Sequence, residues 1–228
     1  MTPHLSLSLL NQQLLFDKER AMLWENERTL IVSDVHLGKT GHFRKSGIAI
    51  PQTIYKEDLQ RLVALLQFYK PEKLLVVGDM FHSAHNKELD LFLKWRNDFS
   101  TLTIQLIKGN HDILPVQWYA TAAIDLIDMY YLQGPFCFVH DIADIEANGP
   151  TDIKEYYTFS GHVHPGITLK GISKQSLQFP CFHLGKSKGI LPAFSRFTGM
   201  HPIKSKKTDT VIAIIPANND LPGGVMKI

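Results

Sequence analysis

Apolar residues fall into short, regularly broken runs along this chain, and the breaks carry as much information as the runs. Leu5, Leu7 and Leu9 alternate with Ser6 and Ser8, the period of a half-buried strand. Residues 14–16 and 21–24 predict two more short strands around the charged turn Asp17-Lys18-Glu19-Arg20. Residues 29–32, 73–77 and 102–107 are short apolar runs that predict buried strands. Between them, residues 53–69 place Leu59, Leu62, Val63, Leu66 and Tyr69 on one helical stripe, stopped by Pro71. Residues 87–99 repeat the spacing with Leu89, Phe92, Leu93 and Arg96. The order β-α-β-α-β predicts parallel strands joined by right-handed crossovers.

The second half changes character. Residues 126–132 and 136–139 read as two strands of a hairpin around Gln133-Gly134-Pro135. Residues 156–159, 178–182 and 211–215 predict further strands. Residues 185–207, rich in Lys, Ser, Gly and Pro, predict a long loop or irregular hairpin. With no internal repeat and no linker, the expectation is one domain over residues 1–228. Its two sheets pack together with helices outside, and no separate cap domain is present.

Composition narrows the function classes. A hydrophobic fraction of 44% and a charged fraction of 20% are those of a globular protein. A net charge of +2 gives no global field for nucleic acid or membrane, so any phosphate-binding surface has to be local. No apolar run is long enough to span a bilayer, and residues 1–10 lack the features of a signal peptide. The expected location is cytoplasmic, with Cys137 and Cys181 as buried free thiols.

The chemistry gathers where apolar runs end. Residues 29–32 lead into Asp34-Val35-His36, residues 73–77 into Gly78-Asp79-Met80-Phe81-His82, and residues 102–107 into Lys108-Gly109-Asn110-His111-Asp112. Residues 136–139 lead into His140, and 156–159 into Gly161-His162-Val163-His164. Ligands collect at the carboxyl ends of strands in open α/β sheets. In a period-2 strand both rings of His162-Val163-His164 would point to one face and serve one site. Two divalent cations about 3.5–4 Å apart require a shared anionic ligand and mixed oxygen and imidazole donors, and this set supplies both. Thiolates are absent from it, against a structural zinc site.

The ordered set Asp-x-His, Gly-Asp, Gly-Asn-His-Asp, His and Gly-His-x-His resembles the calcineurin-like metallophosphoesterase superfamily. The resemblance implies a four-layer α/β/β/α sandwich of two mixed sheets flanked by helices. It implies one metal on Asp34, His36 and His164, a second on Asn110, His140 and His162, and Asp79 bridging them. His140 is matched by its order and strand context only. His111 becomes the catalytic histidine. Residues 78–82 and 109–112 are similar to the corresponding runs of double-strand-break repair nucleases. Those nucleases place a second active-site histidine at the position of His82, where protein phosphatases carry an aspartate. Arg20-Ala21-Met22-Leu23-Trp24, Asp34-Val35-His36-Leu37-Gly38-Lys39 and Phe43-Arg44 resemble bacterial ligase-associated DNA-damage-response phosphoesterases, an endonuclease branch. So do residues 47–51, 191–194 and 197–199.

The expected activity is therefore hydrolysis of a phosphodiester, in DNA linked to repair, by a metal-bridged hydroxide with His111 assisting the leaving oxygen and His82 steering the phosphate. Manganese suits the mixed donors; zinc, iron and cobalt fit such sites too. Lys39 and Arg44 are candidate phosphate-binding groups, and can equally form a solvated loop. Lys204, Lys206 and Lys207 read as a solvated run. DNA is the expected partner, with a ligase, helicase or exonuclease of repair implied by the resemblance and no membrane. Two other readings stay open: a phosphatase or small-nucleotide phosphodiesterase with the same centre, and a non-catalytic metal-stabilised repair scaffold.

Overall fold

Alternation along the buried strands divides their apolar residues between two cores. In β4 (Thr29–Val32), β5 (Lys73–Val77) and β6 (Thr103–Ile107), the side chains of Leu30, Val32, Leu74, Val76, Ile104 and Leu106 enter one cluster. Ile31, Leu75, Val77 and Ile107 enter the other. A strand with both faces covered needs no polar face, which is why β4 and β5 lack alternation in hydrophobicity; β6 keeps a half-buried Gln105 between Ile104 and Leu106. The computed structural model describes residues 1–39, 53–82, 87–170, 176–218 and 222–228.

Among the described residues, the first sheet runs β1 (His4–Leu9), β2 (Gln12–Asp17), β3 (Ala21–Trp24), β4, β5, β6 and β7 (Ile124–Ile127). The pairs from β1 to β4 are antiparallel and those from β4 to β7 parallel. Its outer face is covered by three helices, α1 (Thr53–Tyr69), α2 (Lys87–Asp98) and α3 (Val116–Thr121). They contribute Leu62, Leu65, Leu66, Leu89, Phe92, Trp95 and Tyr119.

The second sheet is also mixed. Its strands are β8 (Tyr130–Gln133), β9 (Phe136–Val139), β10 (Tyr157–Ser160), β11 (Pro165–Lys170), β12 (Ser176–Leu184), β13 (Lys188–Ile190), β14 (His201–Pro202), β15 (Thr210–Ile215) and β16 (Gly224–Lys227). Its inner face packs on the first sheet through Phe136, Phe138, Phe159, Phe182 and Ile212. Edge-to-face pairs cross the interface, Trp24 with Phe136 at 4.9 Å and Phe16 with Phe182 at 5.0 Å. On the outer face, Cys137 and Val139 meet Ile145 of α4 (Ile142–Asn148) and Ile153. The layers are helix, sheet, sheet, helix, the four-layer mixed sandwich. Both cysteines are free and buried, and burial pushes their thiols up to about 11 for Cys137 and about 12 for Cys181. Among the described residues, no helix is long and apolar enough to cross a membrane.

Several elements differ from the sequence-based expectation. The apolar stretch over residues 126–132 is not one strand. β7 closes the first sheet, and β8 opens the second after Asp128 and Met129. The hairpin around Gly134 is present between β8 and β9. α3 and α4 span 6 and 7 residues, too few turns to print a stripe. The segment over 185–207 contains β13 and β14, and β11 and β16 were not anticipated.

Phe159 is fully buried between the sheets, against Phe136, Phe138 and Tyr157. Phe159→Ala should lower the unfolding free energy by about 3–5 kcal/mol, read from urea titration of the full chain. A change below about 1 kcal/mol would mean the cavity closes by repacking.

Candidate metal centre

The ends of β4 and β5 do not fray into separate loops. Asp34 N–H donates to the Gly78 carbonyl (3.1 Å), His36 N–H to Asp79 (2.9 Å) and Leu37 N–H to Met80 (2.9 Å). His82 N–H returns to Leu37 (2.8 Å), and Gly161 N–H reaches the His140 carbonyl (3.1 Å). These backbone bonds continue each sheet's pairing past its last residue and bring the loops to one place.

The backbone there is unusual. Asp34 (φ 52°), His36 (51°), Asp79 (51°), His162 (64°) and His164 (51°) all lie in the left-handed region. For a residue with a Cβ this costs about 1–2 kcal/mol. Such strain collects at functional sites, where surrounding contacts over-determine it. It also corrects the strand reading of His162-Val163-His164. This segment is a loop, and its two rings go to different clusters.

The first cluster is Asp34, His36 and His164, each offering one atom within 4.8 Å of the others'. Nε2 of His164 lies 3.3 Å from Oδ1 of Asp34, whose carboxylate also accepts the His162 N–H at 3.1 Å. The second cluster is Asp79, His140 and His162, defined by the same span. Around Nε2 of His140 converge Oδ1 of Asn110 (3.1 Å), Nδ1 of His162 (3.1 Å) and Oδ1 of Asp79 (3.5 Å). Asp79 faces both groups, since its Oδ2 is 4.0 Å from Nε2 of His36. The structure thus draws Asp34, His36, Asp79, Asn110, His140, His162 and His164 into one neighbourhood.

These residues fit divalent cations. Both ring nitrogens of His36 are buried and make no hydrogen bond within the protein. An unsatisfied buried polar group costs about 1–3 kcal/mol, and a cation on one nitrogen would relieve it. Burial, with Lys39 next in size, pushes the imidazole down to about 2, and neutral imidazole is the form that ligates metal. Nδ1 of His140 lies 3.4 Å from the Val77 carbonyl, and Nε2 of His162 lies 3.7 Å from Asp141. A backbone carbonyl and a carboxylate at the outer nitrogen orient ligating histidines in this way. Gly78 (φ 78°) makes room for the ring: a Cβ there would sit 2.0 Å from Nδ1 of His140.

The accessory candidates divide. His82 and His111 lie against each other, rings 4.3 Å apart and tilted by 30°, and each ring is 5.4 Å from that of His36. His111 N–H donates to Oδ1 of Asp79 at 2.9 Å. Lys39 is half-buried; burial lowers its pKa, while Asp79 and Asp34 pull it the other way. Arg44 lies outside the described residues. Lys204, Lys206 and Lys207 are exposed.

Two contributors carried no assignment from the sequence. Asp112 is fully buried and accepts N–H bonds from Phe81 (2.9 Å) and Gly109 (3.0 Å), tying the loop after β5 to the loop after β6. Burial drives its carboxyl up to about 7, against those N–H bonds. Asp141 backs His162 and caps α4 through the Ala143 N–H (3.0 Å). Both adjoin assigned residues in the runs at 109–112 and 140–141, and that adjacency is the only signal of them in the sequence.

Residues 27–220 match the calcineurin-like phosphoesterase family. The crystal structure of Pseudomonas putida nuclease MPE is similar at a TM-score of 0.77 and 28% identity, over 92% of this chain and 96% of that one. The structure of a protein of unknown function, AQ665 from Aquifex aeolicus, matches at a TM-score of 0.39 and 18% identity, over 60% and 78% of the two chains. No curated protein matches.

Chelation should lower the unfolding temperature. Free Mn²⁺ at 100 times its Kd should restore about 2.7 kcal/mol per site. Calorimetry with and without EDTA measures this, and superimposable melting curves would contradict a cation-holding centre. In Gly78→Ala the added methyl collides with His140, so the Mn²⁺-dependent rise should shrink or vanish.

Proposed function

The chain belongs to the calcineurin-like phosphoesterase family and is a metal-dependent phosphoesterase; from that premise we propose that it hydrolyses phosphodiester bonds in DNA. The observation that carries this reading is the pair of clusters meeting at Asp79, with the rings of His111 and His82 in contact beside them. The likeness to a nuclease along nearly the whole chain supports the nucleic-acid substrate.

Asp34, His36 and His164 would hold one cation, Asn110, His140 and His162 the other, and Asp79 both. Carboxylate and amide oxygens mixed with imidazoles suit Mn²⁺. When bound, the cations supply Lewis acidity, polarising the phosphoryl group and making water nucleophilic at neutral pH. His111 is held by its own N–H on Asp79 and gives a proton to the departing oxygen, help worth about 10²–10⁴-fold. His82, lying against it, orients the phosphate. Lys39 offsets charge on the phosphoryl oxygens, with Arg44 assigned the same task from the sequence. Asn110 is exposed and the His162 side chain is 43% exposed, so the second cluster opens to solvent and suits a polymer. Placement in DNA repair, alongside a ligase, helicase or exonuclease, rests on the sequence resemblance. Assignment of the 228 residues to a single domain rests on the lack of an internal repeat or linker in the sequence.

The test is a matrix of metals against plasmid, linear and single-stranded DNA, nitrophenyl diesters and monoesters. His111→Ala should lose about 10²–10⁴-fold in turnover while keeping its metal content. Loss of metal instead would reassign His111 as a ligand. Activity on small diesters alone would replace the nuclease reading with a small-nucleotide phosphodiesterase. Wild type inert on every substrate with Mn²⁺ bound would favour a scaffold. Lys39→Ala should raise KM for DNA more than it lowers kcat, and the reverse split would move Lys39 into the chemical step.

A further inference from the structure

After β13 the chain leaves the second sheet and crosses behind Asp34. Leu191 N–H donates to the Ser160 carbonyl at 2.7 Å, Phe194 N–H to Ser33 at 2.8 Å and Ser195 N–H to Asp34 at 3.2 Å. The Ser33 hydroxyl donates to the Pro192 carbonyl at 3.1 Å. Residues 191–195 therefore strap one ligand-bearing strand end to another.

Two arginines grip the far side of this strap. Arg20 donates to the carbonyls of Ala193 (3.2 Å) and Ser195 (2.8 Å). Arg61 donates to the carbonyl between them, on Phe194 (3.0 Å), and lies over the Phe194 ring at 4.4 Å. Successive carbonyls are thus each held by a guanidinium. Asp58 completes the grip, accepting from the Ser195 hydroxyl (2.8 Å), the Arg196 N–H (3.3 Å) and Arg61 (2.7 Å). Glu19 takes Nε of Arg61 at 2.7 Å. Burial, aided by Arg61 and Arg196, pushes the Arg20 guanidinium down to about 10.

Such an arrangement is a costly way to hold a loop. Buried ion pairs lose hydration that their attraction only partly returns, and apolar residues of similar volume serve stability as well or better. What guanidinium groups offer is direction, because their planar fork fixes the carbonyls they bind. The carbonyls fixed here belong to the residues whose N–H groups hold Ser33 and the left-handed Asp34.

We propose that Arg20, Arg61 and Asp58 are positioning residues for Asp34, and that they set the cation affinity of the Asp34–His36–His164 cluster more strongly than that of its neighbour. The inference rests on the metal-centre reading. Residues 193–195, the part held by the arginines, bond through their backbone to Ser33 and Asp34, not to Asp79, Asn110 or His140. Releasing the strap frees the Asp34 carbonyl and removes a restraint on its left-handed φ, so the first cluster loosens directly, while the second feels the change only through the His162 N–H on the Asp34 carboxylate and the His140 ring 4.0 Å from it.

The test is Mn²⁺ titration of the metal-free full chain by calorimetry and electron paramagnetic resonance, with folding checked by circular dichroism. Wild type should bind two ions. Arg20→Gln should weaken one by about 10–100-fold, the size of effect seen when a group behind a metal ligand is lost, and weaken the other clearly less. Arg20→Lys, which keeps the charge but not the fork, should fall between. Should Arg20→Gln fail to fold, Ser195→Ala carries the test, since it deletes only the hydroxyl linking the strap to Asp58. Two unaltered affinities in a folded variant, or equal weakening of both, would overturn the clamp alone. A wild type that binds no Mn²⁺ would overturn the metal-centre reading and this inference with it.

Discussion

Asp79 is the constraint around which the rest of the molecule is arranged. One of its oxygens faces His36 at 4.0 Å, the other faces His140 at 3.5 Å, and the latter also accepts the His111 N–H. A single carboxylate therefore answers to groups from the ends of β4 and β9 and from the loop after β6. This works only if the two sheets are held at one separation. That separation comes from the aromatic layer of Trp24, Phe136, Phe138 and Phe159, rigid at crystal-like packing density. A dry interior thus sets the spacing of a polar centre.

The left-handed backbone at Asp34, His36, Asp79, His162 and His164 belongs to the same logic. A regular strand would send alternate side chains to opposite faces; positive φ turns these residues out of the pleat. The strain is offset by bonds between loops, with Asp34, His36 and Leu37 donating into residues 78–80. Gly109 serves the same crowding, since a Cβ there would lie 2.3 Å from Oδ1 of Asp79. Asp112 adds a buried carboxylate that accepts N–H groups from the two loops it joins. Side chains and backbone together hold open a space that cations fit.

Much of this was legible in the sequence where physics leaves a periodic trace. β4 and β5 are apolar after their first residue because both faces are covered, and α1 and α2 show a stripe because one face is. The clustering of Asp, Asn and His after β4, β5 and β6 was visible as well. The change of sheet between β7 and β8 was not, because hydrophobicity marks burial and not which core a residue enters. The backbone of residues 161–164 was misread for a related reason: alternation assumes extended φ, and ligand geometry had overridden it. Arg20 and Arg61 resemble surface charges in one dimension. Their role depends on carbonyls 173 and 133 residues away.

The lacing of Asp34 to His162 joins positions 128 residues apart. A ribosome delivers Asp34, His36, Asp79 and Asn110 well before His140, His162 and His164, and the strap over 191–195 later still. A nascent chain therefore carries only half a coordination sphere, and distant contacts of this kind form slowly. Assembly of the two clusters consequently waits until both sheets have closed, so truncated or stalled products would lack the centre on which a metal-dependent phosphoesterase relies.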